Sequence, residues 1–412
     1  MHDQKKLTKQ VSWNLVGQIS SVFIPLITLS LILNSLGFEQ FGEYSMLVVF
    51  GGVVALVNEW GFQITLVKYI KVKKGIEKKL FFNILIIRLI ITLVFIAFIL
   101  FVFLIANWYQ LFEFSILKKY FFSLFFLFFA NIINPIQIMV TLGRNDITAL
   151  CIIFGKTFFL VSVIFSSFSQ AFEYFNYWVF GTFLTNVAIL LYIFWSKIIV
   201  SNIKSYELTN MSTMLNDGFV VLKGRVPSLL LNSSPVYLLS LTAGLNVVGI
   251  YSLADQLYRA GVLIVQSIST PLYISMNNNY ELERVVKIVS LLIMLDVIGT
   301  LLVYNFFEGT WLKIFGSQSI DSFNLIPYFA IIGILAIISI IFGYPVLGPK
   351  NLLSVIEKGN WYGLIVFIAT YTFLNCLSVM QDDPILKILP AIFFAELVIV
   401  YFRVNGIRKI LN

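Results

Sequence analysis

The chain has very few of the residues on which most soluble enzymes depend. Only 12% of its 412 residues are charged, it has two cysteines, and its single histidine, His2, lies in the N-terminal tail. A lone histidine in a tail excludes histidine-based catalysis and most histidine metal sites. Cys151 and Cys376 lie in apolar runs, which argues against a disulfide. The sequence therefore predicts no catalytic residues, no cofactor and no metal site.

Apolar residues dominate the composition instead. Hydrophobic residues make up 59% of the chain and the mean hydropathy is +0.93, which is more apolar than soluble domains usually are. A net charge of +8 in a soluble protein would suggest nucleic acid as a partner. In an apolar chain the cations can be assigned to one side of a membrane, so the expected partner is the lipid bilayer and no nucleic acid is expected.

Twelve apolar runs are each long enough to cross a hydrocarbon core of about 30 Å. The longest polar stretch, Ser196 to Asp217, divides them six and six. It predicts a cytoplasmic linker, 201–217, between an N-terminal six-helix bundle, 1–200, and a C-terminal one, 218–412. The runs are 13–36, 45–67, 80–105, 120–142, 147–168, 173–196, 218–242, 250–275, 285–306, 323–346, 360–380 and 384–402.

Lysine and arginine predict the orientation of these helices. They are concentrated on the side of the N-terminus, as in the run from Lys68 to Lys79 and in the tail from Arg403 to Lys409. Cytoplasmic loops carry such an excess of positive charge, which places both termini in the cytoplasm. On the opposite side lie only Lys118, Lys119, Lys313 and Lys387.

A nine-residue turn after the first apolar run recurs near the middle of the chain. Residues 37–45 read GFEQFGEYS and residues 244–252 read GLNVVGIYS, at a shift of 207 residues. A chance use of the same small residues in two turns is the alternative, but agreement at several positions favours a duplicated unit. The aligned pairs are Gly17 with Gly224, Gly37 with Gly244, Gly42 with Gly249, Tyr44 with Tyr251 and Ser45 with Ser252.

The even number of helices in each half gives both halves the same orientation in the membrane. The predicted fold is an all-α polytopic membrane protein with twelve transmembrane helices. These form two six-helix bundles, related by a pseudo-twofold axis along the membrane normal, around a central cavity. This arrangement suits transport by alternating access.

Ionisable residues inside the predicted spans are the candidate site residues, because a charge in the bilayer is costly and usually faces a bundle interior or a cavity. Lys156 and Arg259 lie about 13 Å from the nearer helix end and are expected to line a cationic cavity. Lys223 and Arg225 are nearer the cytoplasmic end, where snorkelling to the headgroups is the alternative. The full cationic set is Arg259, Lys156, Arg225, Arg88 and Lys223.

Four carboxylates also fall within the spans. Asp296 and Glu396 lie near mid-span and are candidates for binding a coupling ion, H⁺ or Na⁺, or for pairing with a lysine or arginine. Glu59 lies nearer the cytoplasmic end of the second span. Asp255 is four residues before Arg259, so a structural ion pair on one helix face is the alternative for both.

The first two spans carry a set of polar, glycine and aromatic residues at fixed places. These are Asn14, Gln18, Pro25, Leu36-Gly37, Phe41 to Ser45 and Glu59 to Phe62. In these residues the chain resembles the opening of the Wzx-type O-antigen and capsule repeat-unit flippases, polysaccharide transporters of the MOP superfamily. The resemblance implies that the chain moves an undecaprenyl-pyrophosphate-linked oligosaccharide to the periplasmic leaflet of a bacterial inner membrane, driven by an ion gradient. It also implies the polymerase and chain-length regulator of the same pathway as partners.

Two other functions remain as alternatives at this point. A Wzy-type membrane polymerase would be expected to have a large periplasmic loop, and no break between the spans is long enough for one. A MATE-type exporter should favour a smaller and more acidic pocket for cationic substrates. A lipid II flippase is less favoured than these, because such proteins usually have charges in the first helix, whereas residues 13–36 carry none.

Overall fold

The computed structural model describes residues 2–70, 76–108, 114–166, 169–200, 211–278, 281–350, 352–376 and 383–411. The described chain is almost entirely helical. Two short parallel strands, β1 (Ile76–Glu77) and β2 (Ile199–Val200), pair with each other. The prediction of an all-α polytopic protein is confirmed.

Among the described residues, seven helices precede the midpoint of the chain. Each of the first six predicted spans lies mainly on one of them or on a consecutive pair. They are α1 (His2–Glu59), α2 (Phe62–Tyr69), α3 (Lys78–Trp108), α4 (Phe114–Ile132), α5 (Ile136–Thr141), α6 (Asn145–Phe165) and α7 (Ala171–Trp195).

In the described part of the second half there are eight further helices. A 3₁₀ turn, Ser317–Ser319, precedes the fifth of them, and a π-helical segment, Phe342–Leu347, follows the sixth. The helices are α8 (Met211–Thr242), α9 (Leu245–Asn278), α10 (Leu282–Phe306), α11 (Glu308–Phe315), α12 (Ile320–Asn324), α13 (Ile326–Ile341), α14 (Leu353–Cys376) and α15 (Pro384–Leu411).

Eight stretches of the described residues are long and apolar enough to cross a membrane by length and composition. Helices α8, α9 and α14 are equally long but carry more polar residues. Because a polar face is costly against lipid, such helices usually turn it towards other helices or water. The eight stretches are Phe23–Leu66, Lys78–Val102, Phe122–Thr141, Asn145–Phe165, Ala171–Trp195, Leu282–Phe306, Ser317–Leu347 and Pro384–Leu411.

The chain divides into two compact units. The N-terminal unit consists of Met1–Ile24 and Leu47–Lys223, and the C-terminal unit of Pro25–Met46 and Gly224–Asn412. This division differs from the expected halves, 1–200 and 218–412, because the middle of α1 packs with the second half of the chain. The expected linker lies mostly in residues 201–210, outside the described residues.

The repeated turns explain why Pro25–Met46 belongs to the C-terminal unit. A Cβ on Gly42 would lie 2.0 Å from the carbonyl oxygen of Leu245, and a Cβ on Gly249 would lie 2.2 Å from that of Phe38. Phe38 and Leu245 are themselves equivalent under the 207-residue shift. Each copy of the turn therefore contacts the other through the same pair of positions, as two-fold related surfaces do.

The two turns also match in backbone conformation at their first glycine. Gly37 has φ 73° and Gly244 has φ 84°, a left-handed conformation that glycine adopts without steric cost. Ser45 and Ser252 are both 2% exposed. The same conformations at matched positions support a duplicated unit.

Two hydrogen bonds add to the contact between Pro25–Met46 and the rest of the C-terminal unit. The Asn34 side-chain amide donates to the carbonyl of Ile314 over 2.8 Å, and the Tyr237 hydroxyl donates to the carbonyl of Met46 over 3.4 Å. These bonds satisfy polar groups that hydrocarbon could not.

Small residues bring helices close together within the N-terminal unit. A Cβ on Gly155 of α6 would lie 2.4 Å from the carbonyl oxygen of Gly181 on α7. Such contacts are typical of membrane helix pairs, where small residues allow the backbones to approach. The crossing places Lys156, the residue after Gly155, beside α7.

Candidate functional site

Lys156 on α6 has the least neutralised charge among the predicted deep cations. Its Nζ lies 5.7 Å from the ring centroid of Trp178 on α7, a cation–π distance. Trp178 is held by Phe175, whose ring stacks on it at 5.6 Å, and by Gly51, where a Cβ would lie 2.8 Å from the indole. Among the described residues no carboxylate forms a salt bridge with Lys156.

Arg259 on α9 is partly neutralised by its neighbour. Its Nε donates to Asp255 Oδ2 over 2.5 Å, and its Nη2 donates to the carbonyl of Asn232 over 2.6 Å. The Arg259 side chain is 37% exposed, whereas that of Asp255 is 7% exposed. The structure thus brings Asp255 and Arg259 together as an ion pair that presents only part of the guanidinium to a ligand.

Arg88 on α3 lies inside the N-terminal unit and is 1% exposed. Its guanidinium donates to the carbonyl of Asn134 and, over 2.7 Å, to Gln137 Oε1. Asn134 lies between α4 and α5, at the break before Pro135, where backbone carbonyls lack helical partners. Glu59 lies within electrostatic reach of Arg88, so these two predicted site residues belong to one buried polar region.

Lys223 and Arg225 lie in the first half of α8, one on each side of the boundary between the units. Lys223 is exposed and Arg225 is half-buried. Each of them has an interaction partner. Their placement in a cationic cavity stays a prediction.

Asp296 on α10 lines a cavity of about 360 Å³ between α9, α10 and α13. Its Oδ2 atom is buried and has no hydrogen-bond partner among the described residues. On α13, a Cβ on Gly333 would lie 3.4 Å from the Asp296 carboxylate. The glycine leaves the carboxylate open towards the cavity.

Glu396 on α15 belongs to a second buried polar cluster. The Ser339 hydroxyl on α13 donates to Glu396 and accepts from Arg403, which lies seven residues after Glu396 on the same helix face. Arg403 also donates to Asn360 Oδ1 on α14 over 3.3 Å, and Asn360 donates to the carbonyl of Gly224 on α8 over 3.3 Å. The cluster therefore links four helices of the C-terminal unit.

Arg403 and Trp178 are residues of these sites that the sequence did not single out. The charge pattern places Arg403 among the cytoplasmic cations, yet it is 8% exposed. The spacing of Glu396 and Arg403, two helical turns apart on one face, is a signal for their interaction. No pattern in the sequence distinguishes Trp178 from the many other aromatic residues, which make up 16% of the chain.

These geometries allow the binding of an anion at Lys156 and of a cation or proton at Asp296. A family model described as "Polysaccharide biosynthesis protein" matches residues 7–276, well over half of the chain. The chain belongs to the polysaccharide biosynthesis protein family. A comparison with curated protein sequences finds no match.

Solved structures similar to this family member share its fold at low sequence identity. The lipid II flippase MurJ in an inward closed conformation aligns with TM-score 0.68 and 15% identity, over 95% of this chain and 87% of MurJ. A point mutant of the Vibrio cholerae MATE transporter VcmN aligns with TM-score 0.63 and 11% identity, over 99% and 96%. A ligand complex of the MATE multidrug transporter DinF-BH aligns with TM-score 0.60 and 15% identity, over 98% of this chain and 95% of DinF-BH.

The chain is therefore a multi-pass membrane protein of the polysaccharide biosynthesis family, and it shares its fold with solved flippase and transporter structures. Its structural relatives move molecules across membranes. The predicted resemblance is confirmed in the family, by the polysaccharide biosynthesis model, and in the fold, by the MurJ and MATE structures.

Proposed function

We propose that the chain is a flippase for a lipid-linked oligosaccharide. Its substrate would be an undecaprenyl-pyrophosphate-linked repeat unit of an O-antigen or capsule. The chain moves this unit from the cytoplasmic to the periplasmic leaflet of a bacterial inner membrane by alternating access, with both of its own termini in the cytoplasm. The polymerase and the chain-length regulator of the same pathway would act on the product.

The observation that carries this proposal is the environment of Lys156. A pyrophosphate carries negative charge that hydrocarbon cannot solvate, and an ammonium group stabilises it through charge-assisted hydrogen bonds. Lys156 offers such a group beside Trp178, with no carboxylate salt bridge in the described structure. Arg259 offers a partly exposed guanidinium within the C-terminal unit.

An ion gradient would drive this transport through carboxylates of the C-terminal unit. Asp296 and Glu396 each have one buried oxygen without a hydrogen-bond partner in the described structure. Such an oxygen can take up a proton or contribute to holding Na⁺. Glu59 and Asp255 are weaker candidates, because each lies beside an arginine.

A deletion of the gene in its own host tests the function. The lipids are extracted, undecaprenyl-pyrophosphate glycans are identified by mass, and the leaflet that holds them is assayed. We expect one complete repeat unit to accumulate on the cytoplasmic side, with loss of surface polysaccharide. Accumulation on the periplasmic side would instead mean that polymerisation is blocked, and would overturn the flippase proposal.

Complementation of that deletion tests Lys156. Lys156→Met should restore at most about a tenth of the wild-type surface glycan, since a lost charge-assisted bond is worth about 1.5–3 kcal/mol. Lys156→Arg keeps the charge and is the matched control. If the methionine variant exported as much glycan as the wild type, with the same amount of protein in the membrane, Lys156 would not belong to the site.

A further inference from the structure

The cavity beside Asp296 is one end of a longer groove in the C-terminal unit. The first cavity, of about 360 Å³, lies between α9, α10 and α13, and a second, of about 440 Å³, continues from it to α11. Their shared lining makes them one continuous space, which we call the α9–α10–α13 groove. The residues that line both cavities are Leu257, Leu295, Asp296, Thr300 and Ile326.

The wall of the groove is hydrocarbon apart from Asp296 and a few hydroxyl groups. Among the described residues no other charged side chain lines it. Its rim includes Leu295, which is 55% exposed, and Ile264, which is 46% exposed. Apolar side chains exposed on a spanning helix face lipid, because contact with water is unfavourable for them. The groove is therefore open to the hydrocarbon of the bilayer.

Glycine leaves open space on two of the long helices of the groove. A Cβ on Gly261 of α9 or on Gly299 of α10 would meet no atom within 4 Å. Glycine in a helix interior is less stable than alanine by about 0.5–1 kcal/mol, and here no close helix contact requires it. The space beside these two glycines is instead room that a ligand can fill.

The groove is deeper than one leaflet of a bilayer. Along α10 and the residue after it, the lining runs from Leu292 to Phe307, which is about 22 Å at ~1.5 Å per residue. One leaflet contributes about 15 Å to the hydrocarbon core. Leu292 lies on the cytoplasmic side of the middle of the predicted span 285–306, and Phe307 lies just beyond its periplasmic end. The groove therefore crosses the predicted midplane of the bilayer.

This depth distinguishes between two kinds of hydrocarbon chain. The acyl chain of a phospholipid stays in its own leaflet, whereas a long polyisoprenoid chain extends through both. Lipid tails are as apolar as the wall of the groove, so packing and not the hydrophobic effect selects the occupant. A groove that continues past the midplane packs against more of a polyisoprenoid chain than of an acyl chain.

We propose that the α9–α10–α13 groove binds the polyisoprenoid tail of the lipid-linked substrate. This inference rests on the function proposed above, which supplies the lipid. A bare carboxylate in hydrocarbon is costly, but Asp296 with its coupling ion bound presents no bare charge to the chain. Because the groove extends into both leaflets, the tail stays against the protein while the headgroup moves from one leaflet to the other.

Photo-crosslinking of the purified full-length protein in phospholipid nanodiscs tests the proposal. The probe is undecaprenyl pyrophosphate with a diazirine in its chain, and mass spectrometry of the digested protein locates the labelled residues. We expect labels on the groove residues of α9, α10 and α13, and their loss when unmodified undecaprenyl pyrophosphate is added in excess. Labels spread evenly over the spanning helices would overturn the proposal.

Phosphatidylglycerol with a diazirine in one acyl chain is the second probe, because the bilayer is the other source of hydrocarbon. We expect it to label the groove much less than the polyisoprenoid probe does. Equal labelling of the groove by both probes, with no displacement by undecaprenyl pyrophosphate, would make the groove a site for ordinary lipid and would overturn the proposal.

Gly299→Phe fills the groove without a change of charge. We expect it to lower groove labelling by the polyisoprenoid probe about tenfold, because the phenyl ring takes open space that the chain would occupy. Gly261→Phe should act alike from α9 and serves if the first variant fails to fold. Gly52→Phe is the matched control, since Gly52 has equally open surroundings in the N-terminal unit. Unchanged labelling in a folded groove variant, or an equal loss in the control, would contradict the proposal.

The gene deletion described above tests the flippase separately from the groove. Cytoplasmic accumulation of the repeat unit, together with crosslinks outside the groove, would refute the groove and leave the flippase standing. Periplasmic accumulation, together with crosslinks inside the groove, would refute the flippase and still support a polyisoprenoid site in the C-terminal unit.

Discussion

Cationic side chains inside the helices differ in how much of their hydrogen-bonding capacity the protein already uses. Arg88 and Arg403 are almost completely buried and each donates to two neighbouring groups. Lys156 contacts an aromatic ring. We therefore expect the two arginines to affect mainly stability, and Lys156 to affect mainly transport.

Arg88→Met should lower stability. The change leaves the Asn134 carbonyl and the Gln137 side chain without a donor, and each buried polar group left unpaired costs about 1–3 kcal/mol. We expect a loss of about 2 kcal/mol or more, measured as a lower unfolding temperature of the purified protein. Lys287→Met is the control, because the Lys287 side chain is 76% exposed and its salt bridge is to Glu283, which is also exposed. Equal unfolding temperatures for both variants would contradict the assignment.

Arg403 should not be replaceable by lysine without loss. The planar guanidinium reaches Ser339 and Asn360 together, whereas an ammonium is a compact point charge. We expect Arg403→Lys to be less stable than the wild type and Arg403→Met less stable still, by about 1–3 kcal/mol, in thermal unfolding. Arg408 is exposed and is the control. Arg408→Lys and Arg408→Met should unfold at the same temperature as the wild type.

At the scale of elements, the repeated turns show how glycine determines which helices pack together. Gly42 and Gly249 each face a backbone carbonyl of the other copy at distances that no side chain allows. The repeat can be found from the sequence, since the glycines and tyrosines of the two copies align. That the two copies contact each other reciprocally is known only from the fold.

Gly42→Ala should therefore be strongly destabilising. The new methyl group would meet a carbonyl oxygen at 2.0 Å, and overpacking of this kind costs about 1–3 kcal/mol or more. We expect Gly249→Ala to behave alike, with the double variant less destabilised than the sum, since both changes open the same contact. Thermal unfolding measures all three.

Gly52→Ala is the matched control for this element. Gly52 lies in the same helix, and nothing lies within 4 Å of a Cβ at that position. Alanine should be neutral or stabilising there by about 0.5–1 kcal/mol. If Gly42→Ala were as stable as Gly52→Ala, the close contact between the turns would be refuted.

At the scale of the whole molecule, orientation in the membrane follows from the distribution of lysine and arginine. A cysteine-free background is needed to test it, because Cys151 and Cys376 are both free and Cys376 is exposed. Single cysteines at Glu39 and Lys79, both exposed, then report the two sides.

We expect an impermeant thiol reagent added to intact cells or spheroplasts to label a cysteine at Glu39 but not at Lys79. Glu39 lies in the first repeated turn, on the side predicted to face the periplasm, and Lys79 lies at the start of α3, on the cytoplasmic side. Permeabilised cells should be labelled at both positions. The reverse pattern in intact cells would overturn the predicted topology and, with it, the direction of transport.

Much of the architecture is predictable because apolar run length alone indicates a membrane helix. The partners of the charged residues are harder to predict. The i, i+4 spacing predicts the pair of Asp255 and Arg259, but the hydrogen bond of Arg88 to Asn134 forms only when two distant segments meet. The cavity at Asp296 also forms only when distant segments meet. Its walls come from three helices, and no single segment contains it.

The sequence by itself determined that the chain is a polytopic helical membrane protein with a duplicated turn, because hydropathy and repeats are local properties of the letters. Only the tertiary structure decided which cations are hydrogen-bonded, as Arg88 and Arg259 are, and which contact an aromatic ring, as Lys156 does. It also decided that Pro25–Met46 packs with the second half of the chain. Both depend on contacts between residues far apart in sequence, and side-chain and backbone geometry selects those contacts only when the helices have packed.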